Sequence, residues 1–199
     1  LSGTVADIHA KRRALRLPRE AAGTDANLDD LYLDTGEARG EDELRQAVVT
    51  TLKQEPAFAE FVIVEGASAP EDVPAGIDRI AVAAAGPRVH LNGRVASLER
   101  RRLLEVLTWW VPGVGDVENA VRVAPPETDS DGELADAIRL VLEKDPSIPA
   151  HQIGIEARSH AIRLTGAVDN EERRRLAELD CWYVPGVHEV DNALSVKAP

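Results

Sequence analysis

In the last third of the chain, apolar residues first follow a helical spacing. Residues 132–143 place alanine, leucine, isoleucine and valine three and four positions apart, with acidic residues near the start, which predicts a helix. The Asp145-Pro146 pair ends it, because the residue before a proline is pushed out of helical conformation. A second helix is predicted from an N-cap at Asn170 to about Tyr183, where Pro185-Gly186 stops it.

Elsewhere in this segment the spacing changes to the alternation of strands. Residues 153–157 and 161–168 alternate apolar and polar positions around Ser159-His160, which predicts a hairpin. Residues 187–196 predict one last strand. The order is helix, strand, strand, helix, strand, which we call a module. Both helices should cover one face of a three-stranded sheet, because a single helical stripe cannot bury itself. The predicted fold class is α+β.

The middle of the chain repeats this order. Its predicted helices are Asp42–Gln54 and Leu98–Val111, its hairpin spans about Ile77–Val95, and its last strand is Val117–Val123. A longer connection, Pro56–Gly76, contains the apolar run FAEFVIVEG. This insert predicts either an extra strand or a contact surface.

The repetition is also visible residue by residue. Residues 90–125 align with residues 163–199 without a gap through the asparagines, sharing L-x-G-x-V, E-R-R-R-L, V-P-G-V and V-x-N-A. We therefore expect two complete copies, at 41–124 (the second copy) and 131–198 (the third copy).

Residues 1–34 form a weaker first copy. Gly3 falls on Gly93 and Gly23 on Gly113, but the tryptophan pair and the turn proline are missing. Because this copy starts in the middle of the module, it predicts only strand, helix and strand. We expect its other half to be unresolved, to lie upstream of Leu1, or to come from another chain.

Composition narrows the possible functions. A hydrophobic fraction of 44% supports packed cores, and no apolar run approaches the roughly 20 residues that a bilayer span needs. The net charge of −12 argues against nucleic-acid binding and weighs against simple electrostatic docking on anionic lipid. The single cysteine, Cys181, excludes a disulfide within the chain.

The shared motifs resemble the BON (bacterial OsmY and nodulation) domain family. They are V-x-L-x-G-x-V at Val89–Val95, its counterpart at Ile162–Val168, and V-P-G-V-x-x-V-x-N at Val111–Asn119 and Val184–Asn192. The resemblance implies an α-β-β-α-β fold and a non-enzymatic role. It also implies association with the bacterial envelope, phospholipid binding and protection against osmotic shock.

The second helix of each copy carries aromatic residues next to an arginine run. Trp109 follows Glu105 by four positions, which places it towards the polar side, whereas Trp110 can cover the core edge. Arginine beside tryptophan is typical of a lipid-headgroup or protein interface. The alternatives are a tryptophan lying over a neighbouring module and arginines paired with glutamates of the same helix. The candidate contact surface comprises Arg101, Arg102, Trp109, Trp110, Arg174, Arg175, Trp182 and Tyr183.

Glycines and histidines give no clear site. Gly93 and Gly166 lie inside a strand, where they permit either the close approach of a ligand to the backbone or the close packing of a helix or a bulge. The turns Pro112-Gly113 and Pro185-Gly186 are binding loops or simply end a helix. The histidines are scattered and do not repeat between copies, so we assign no catalytic residue, metal ligand or cofactor.

The sequence supports two candidate functions from different classes. The first is a non-enzymatic protein that binds phospholipid or the envelope surface, with a role in osmotic or other stress. It predicts an envelope, periplasmic or extracellular location, with the cytoplasm as the alternative. The second is a structural protein whose modules self-associate through sheet edges into oligomers or filaments. A weaker third interpretation is binding of a monovalent cation by backbone carbonyls.

Overall fold

The computed structural model describes residues 2–22, 30–36, 39–72, 74 and 76–197. The chain divides into two compact units. The first consists of Leu1–Ser97 with Leu107–Pro126, and the second of Leu98–Val106 with Glu127–Pro199. The first copy's turn, including Gly23, lies outside the described residues.

The first unit contains a parallel strand pair and a four-stranded sheet. The pair β1–β2 brings Gly3 opposite Leu31, with α1 packed against both strands, as the strand–helix–strand prediction for the first copy requires. Its elements are β1 (Ser2–Val5), α1 (Ile8–Ala22), β2 (Asp30–Leu33), α2 (Glu41–Gln54), β3 (Val62–Glu65), β4 (Arg79–Ala85), β5 (Arg88–Val95), α3 (Leu98–Trp109, shared with the second unit) and β6 (Asp116–Val123).

The larger sheet has the order β3-β4-β5-β6. Strand β4 is antiparallel to β5, and β5 is parallel to β6, as the module predicts. The prediction of three strands is wrong for this copy, because β3, from the insert, adds a fourth strand parallel to β4. The interpretation of the insert as an extra strand is thereby confirmed. Helix α2 packs against β3 and β4.

Helix α3 is divided between the two units. Its residues Leu98–Val106 belong to the second unit, where Arg102 contacts Asp129 and Pro185, and the rest of the helix belongs to the first.

The second unit contains a module in the predicted order. Strand β7 is antiparallel to β8, and β8 is parallel to β9 and β10. Helix α4 packs on β7 and α5, and α5 packs on β8, β9 and β10. The predicted last strand is interrupted at Ala193-Leu194, where the Leu194 side chain is buried. The elements are α4 (Asp131–Lys144), β7 (Ile153–Arg158), β8 (Ala161–Val168), α5 (Glu171–Tyr183), β9 (Glu189–Asn192) and β10 (Ser195–Val196).

Corresponding positions in the two copies build corresponding cores. Leu44 of α2 and Leu134 of α4 are both 0% exposed, and so are Leu91 of β5 and Leu164 of β8. These side chains occupy the same places in the helical and alternating patterns. The pattern therefore identified these buried positions correctly.

An acidic side chain at the start of each first helix holds the hairpin turn. The Asp131 carboxylate accepts hydrogen bonds from the backbone N–H groups of Ser159 (2.8 Å) and His160 (3.1 Å). These bonds lower the pKa of Asp131. In the second copy, the Glu41 carboxylate accepts from the Gly86 N–H at 2.8 Å. The N-cap prediction is also confirmed, since the Asn170 side chain accepts from the Arg173 N–H at 2.9 Å.

The in-strand glycines allow two backbones to come close. Gly93 and Gly166 have φ values of 144° and 116°, which L side chains rarely adopt. A Cβ atom would lie 2.0 Å from the Arg79 carbonyl oxygen at Gly93, and 2.1 Å from the Gln152 carbonyl oxygen at Gly166. Real Cβ atoms do not come this close, so these glycines serve backbone packing rather than a ligand.

We predict that Gly166→Ala destabilises the protein by about 2–4 kcal/mol, because it adds backbone strain to a steric clash. Urea denaturation followed by circular dichroism measures the change. Gly36→Ala is the control, because Gly36 also has positive φ (64°) but a Cβ there meets nothing within 4 Å. Equal losses in the two variants would contradict the packing role.

Candidate contact surface

The two tryptophans expected on the polar side are buried. Trp109 is 6% exposed and Trp182 is 8% exposed, so this part of the prediction is wrong. Helical spacing places only the Cα atom, and an indole is long enough to fold over the core edge. The Lys11 ammonium group lies 5.9 Å from the centroid of the Trp109 ring, so α1 of the first copy helps to cover it. The interpretation of a tryptophan lying over a neighbouring copy is supported here.

Arg102 is also buried, at 3% exposure, and is not available to a partner. Its Nη2 atom lies 2.6 and 2.7 Å from the two Asp129 carboxylate oxygens, and its Nε donates to the Pro185 carbonyl at 3.1 Å. A Cβ at Gly186 would approach Arg102 Nη2 to 3.2 Å. The Pro185-Gly186 turn thus accommodates a guanidinium group besides ending α5.

The Pro112-Gly113 turn leads into a buried group of charges. Lys11 lies 2.8 Å and Arg88 2.6 Å from the Asp116 carboxylate, and Lys11 also donates to the Leu31 carbonyl. Lys11 and Asp116 are 4% exposed. Removing one partner of such a buried pair leaves an uncompensated charge, which is strongly destabilising. The sequence pattern does not predict that Lys11 is buried, because lysine is almost never fully buried.

The other five candidate residues are at least partly accessible. Arg101, Trp110, Arg174 and Tyr183 are half-buried, and Arg175 is exposed. Arg174 lies 3.2 Å from Glu171 and donates to the Asn192 carbonyl, so it is held against β9. For Arg174, the pairing of arginine with glutamate is confirmed.

Helix α5 presents a stripe that its own module does not fully cover. We call it the α5 outer face; its members are Arg175, Leu176, Leu179 and Tyr183. Arg175 is exposed, and the other three residues are only half-buried although their side chains are large and mainly apolar. The opposite side of the helix carries the buried residues Ala177 and Cys181. An apolar stripe flanked by arginine on an accessible helix is a candidate contact surface.

The corresponding positions of the second copy are covered. Leu176 and Leu179 correspond to Leu103 and Val106, which are 2% and 0% exposed. The same positions are therefore fully buried in one copy and half-accessible in the other. Sequence reasoning missed Leu176 and Leu179 because it looked for aromatic and charged residues, although their spacing to Tyr183 would have shown the stripe.

An ionisable group lies inside the third copy's helix pair. Asp180 of α5 is 4% exposed and corresponds to Leu107 in the second copy. Burial, together with the charge and a hydrogen bond of Asp145, raises the pKa of Asp180 to about 8. Asp180 is therefore mostly protonated at neutral pH.

Within the residues that the structure describes, no group of three or more His, Cys, Asp or Glu side chains could hold a metal ion. No helix in the same residues is both long enough and apolar enough to cross a bilayer. Cys181 is buried, and burial raises the pKa of its thiol.

The repeated order, the shared registers and the glycine packing define a protein of tandem α+β modules. The BON domain profile matches residues 68–125 and 130–198, so the chain belongs to the BON domain family. The predicted fold class and the resemblance to this family are confirmed. The copy boundaries 1–34, 41–124 and 131–198 stay predictions.

The solved structures that are similar to this chain include two of the same protein, and no curated protein matches it. Both are of CdsD, a structural protein of the type III secretion system of Chlamydia trachomatis, at 13% identity. The alignment with its C-terminal domain covers 98% of this chain and 83% of that chain, with a TM-score of 0.31. The other covers 98% and 78%, with a TM-score of 0.30.

We predict that Asp180→Leu, which introduces the residue of the second copy, removes a pH dependence of stability. A pKa raised from 3.8 to about 8 on folding stabilises the protein below pH 4 and loses this effect as pH rises to 8. Urea denaturation from pH 5 to 8 should show a smaller fall in the variant. Asp136→Leu, on the exposed side of α4, is the control and should keep the wild-type slope. Parallel slopes in all three proteins would contradict the raised pKa.

Proposed function

We propose that this BON-domain protein acts by binding rather than catalysis, and that the α5 outer face contacts phospholipid at the bacterial cell envelope. A role in osmotic or other envelope stress is part of the proposal. The observation that carries it is the accessibility of Leu176, Leu179 and Tyr183 next to an exposed arginine. Family membership supports it, since BON domains are associated with phospholipid and the envelope.

Burial has removed three residues from the surface expected from the sequence. Trp109, Trp182 and Arg102 cannot touch a membrane while the fold is intact. What remains on α5 is a short amphipathic contact, in which leucine and tyrosine enter the headgroup boundary and arginine meets phosphate. The net charge of −12 opposes this contact at long range, so the attraction must come from Arg175 at short range. Binding should therefore require anionic lipid and weaken with salt, because salt screens the contact between the guanidinium group and phosphate.

We predict that the full chain co-sediments with vesicles of phosphatidylglycerol and phosphatidylcholine at low salt. Reversing Arg175 to glutamate should weaken the apparent affinity by about tenfold, since each basic residue near an anionic surface contributes about 1 kcal/mol. Leu179→Asp should weaken it further, because a carboxylate replaces an inserting apolar group.

Arg158→Glu is the matched control, since it makes the same charge change at an exposed position at the end of β7, away from α5. It should bind like the wild type. Absence of pelleting at low salt, or an equal loss in Arg158→Glu and Arg175→Glu, would refute lipid contact through this face.

The second candidate function is that of an assembly protein. Among the described residues, β3 pairs only with β4, so it leaves one strand edge open. Open edges present unpaired backbone groups that recruit further strands.

For this candidate, light scattering coupled to size-exclusion chromatography should show a mass that rises with concentration. The Ile63→Pro substitution in β3 should reduce this increase in mass if the β3 edge mediates assembly, because proline has no N–H group to donate to an added strand. A constant monomer mass over a hundredfold concentration range would remove the candidate.

A further inference from the structure

Three arginines lie side by side across the sheet of the second copy. Arg79 of β4 is the register partner of Arg94 of β5, and Arg94 is the register partner of Arg122 of β6. Register partners on neighbouring strands point to the same face of a sheet, and their Cβ atoms are about 5 Å apart. We call these three residues the arginine row.

The arginine row lies on the face of the sheet that is turned away from the core. Val95 and Val121, which neighbour Arg94 and Arg122 in their strands, are 0% and 4% exposed. Because successive residues of a strand point to opposite faces, the arginines point away from these buried valines. Arg79 and Arg94 are half-buried and Arg122 is exposed. A ligand can therefore reach the row from solution.

The charges of the row are not compensated within the part of the chain that the structure describes. None of the side chains of Arg79, Arg94 and Arg122 forms an ion pair or a hydrogen bond there. This is unexpected in a chain with 35 acidic and 23 basic residues, where an arginine readily finds a carboxylate. Like charges directly opposite each other destabilise a sheet, so the row imposes a cost on the protein without its ligand.

The third copy has a neutral row in the same place. Gln152, Ala167 and Ser195 take the positions of the three arginines, and Ala167 pairs with Ser195 as Arg94 pairs with Arg122. The fold of the module therefore does not require arginine at these positions. The cost of placing three cations together needs a reason that is specific to the second copy.

We propose that the arginine row is a binding site for a multiply charged phosphate group. Guanidinium groups donate paired hydrogen bonds to phosphate oxygens, and a compact anion offsets the mutual repulsion of the three cations. The phosphate belongs either to a soluble compound or to a lipid headgroup. The site lies on β4, β5 and β6 and is independent of the α5 outer face.

The test is isothermal titration calorimetry of the full chain with sodium pyrophosphate at low salt. Saturable binding that weakens with salt is expected, because the contact is electrostatic. Arg94→Ala, which introduces the residue of the third copy, should weaken binding by at least about tenfold, since Arg94 is the centre of the row. The same variant should resist urea at least as well as the wild type, because it removes repulsion between like charges.

The matched control is Arg163→Ala in the third copy. Arg163 is exposed on β8 and lies 3.5 Å from the Asp191 carboxylate, so the variant makes the same charge change beside a paired acid. It should bind pyrophosphate like the wild type. Arg175→Glu should also keep pyrophosphate binding, which separates this site from lipid contact through the α5 outer face.

A second arm distinguishes the two sources of phosphate. It measures co-sedimentation with phosphatidylcholine vesicles that contain phosphatidic acid, whose headgroup is a phosphate monoester. Weaker pelleting of Arg94→Ala would identify a lipid headgroup as the ligand. Unchanged pelleting, together with the loss of pyrophosphate binding, would identify a soluble phosphate compound.

Two outcomes would overturn the proposal. The first is that pyrophosphate does not bind at up to about 10 mM and that Arg94→Ala pellets with the vesicles like the wild type. The second is that Arg163→Ala weakens pyrophosphate binding as much as Arg94→Ala does, because the effect would then reflect overall charge rather than the row.

Discussion

The close approach of a carbonyl group to a strand glycine organises each complete module. At Gly93 and Gly166 the backbone of the preceding strand occupies the volume where a side chain would begin. Only glycine tolerates both this contact and the positive φ that accompanies it. The same hairpins carry Leu91 and Leu164, whose side chains are fully buried, so the strand pairing that supports each core requires a residue without a Cβ atom.

The aligned copies show that equivalent residues can have different environments. The buried Arg102 donates from its Nη2 atom to both carboxylate oxygens of Asp129, whereas its counterpart Arg175 is exposed. Leu107 is replaced by Asp180, which is buried and mostly protonated at neutral pH. The two helices also differ in their neighbours: residues Leu98–Val106 of α3 belong to the second unit rather than to the unit of their own sheet, whereas α5 packs on the strands of its own module.

The elements of the fold could largely be predicted, and the candidate surface only partly. Apolar spacing located the helices and hairpins within a few residues, and the proline–glycine turns ended the second helices where the structure ends them. The exposure of Trp109 and Trp182 was predicted wrongly because spacing within one helix contains no information about what lies against it. The buried ion pair between Lys11 and Asp116 joins residues that are far apart in the sequence, and no local pattern predicts such a contact.

The sequence by itself determined the repeated helix–strand order, the core positions that repeat between the copies, the glycine positions and membership of the BON domain family. These depend on local periodicity and on backbone conformations that single residues permit. Only the tertiary structure decided that β3 joins the sheet and that α3 divides between the units. Both features depend on contacts between segments that are far apart in the sequence, and the local pattern of residues does not specify those contacts.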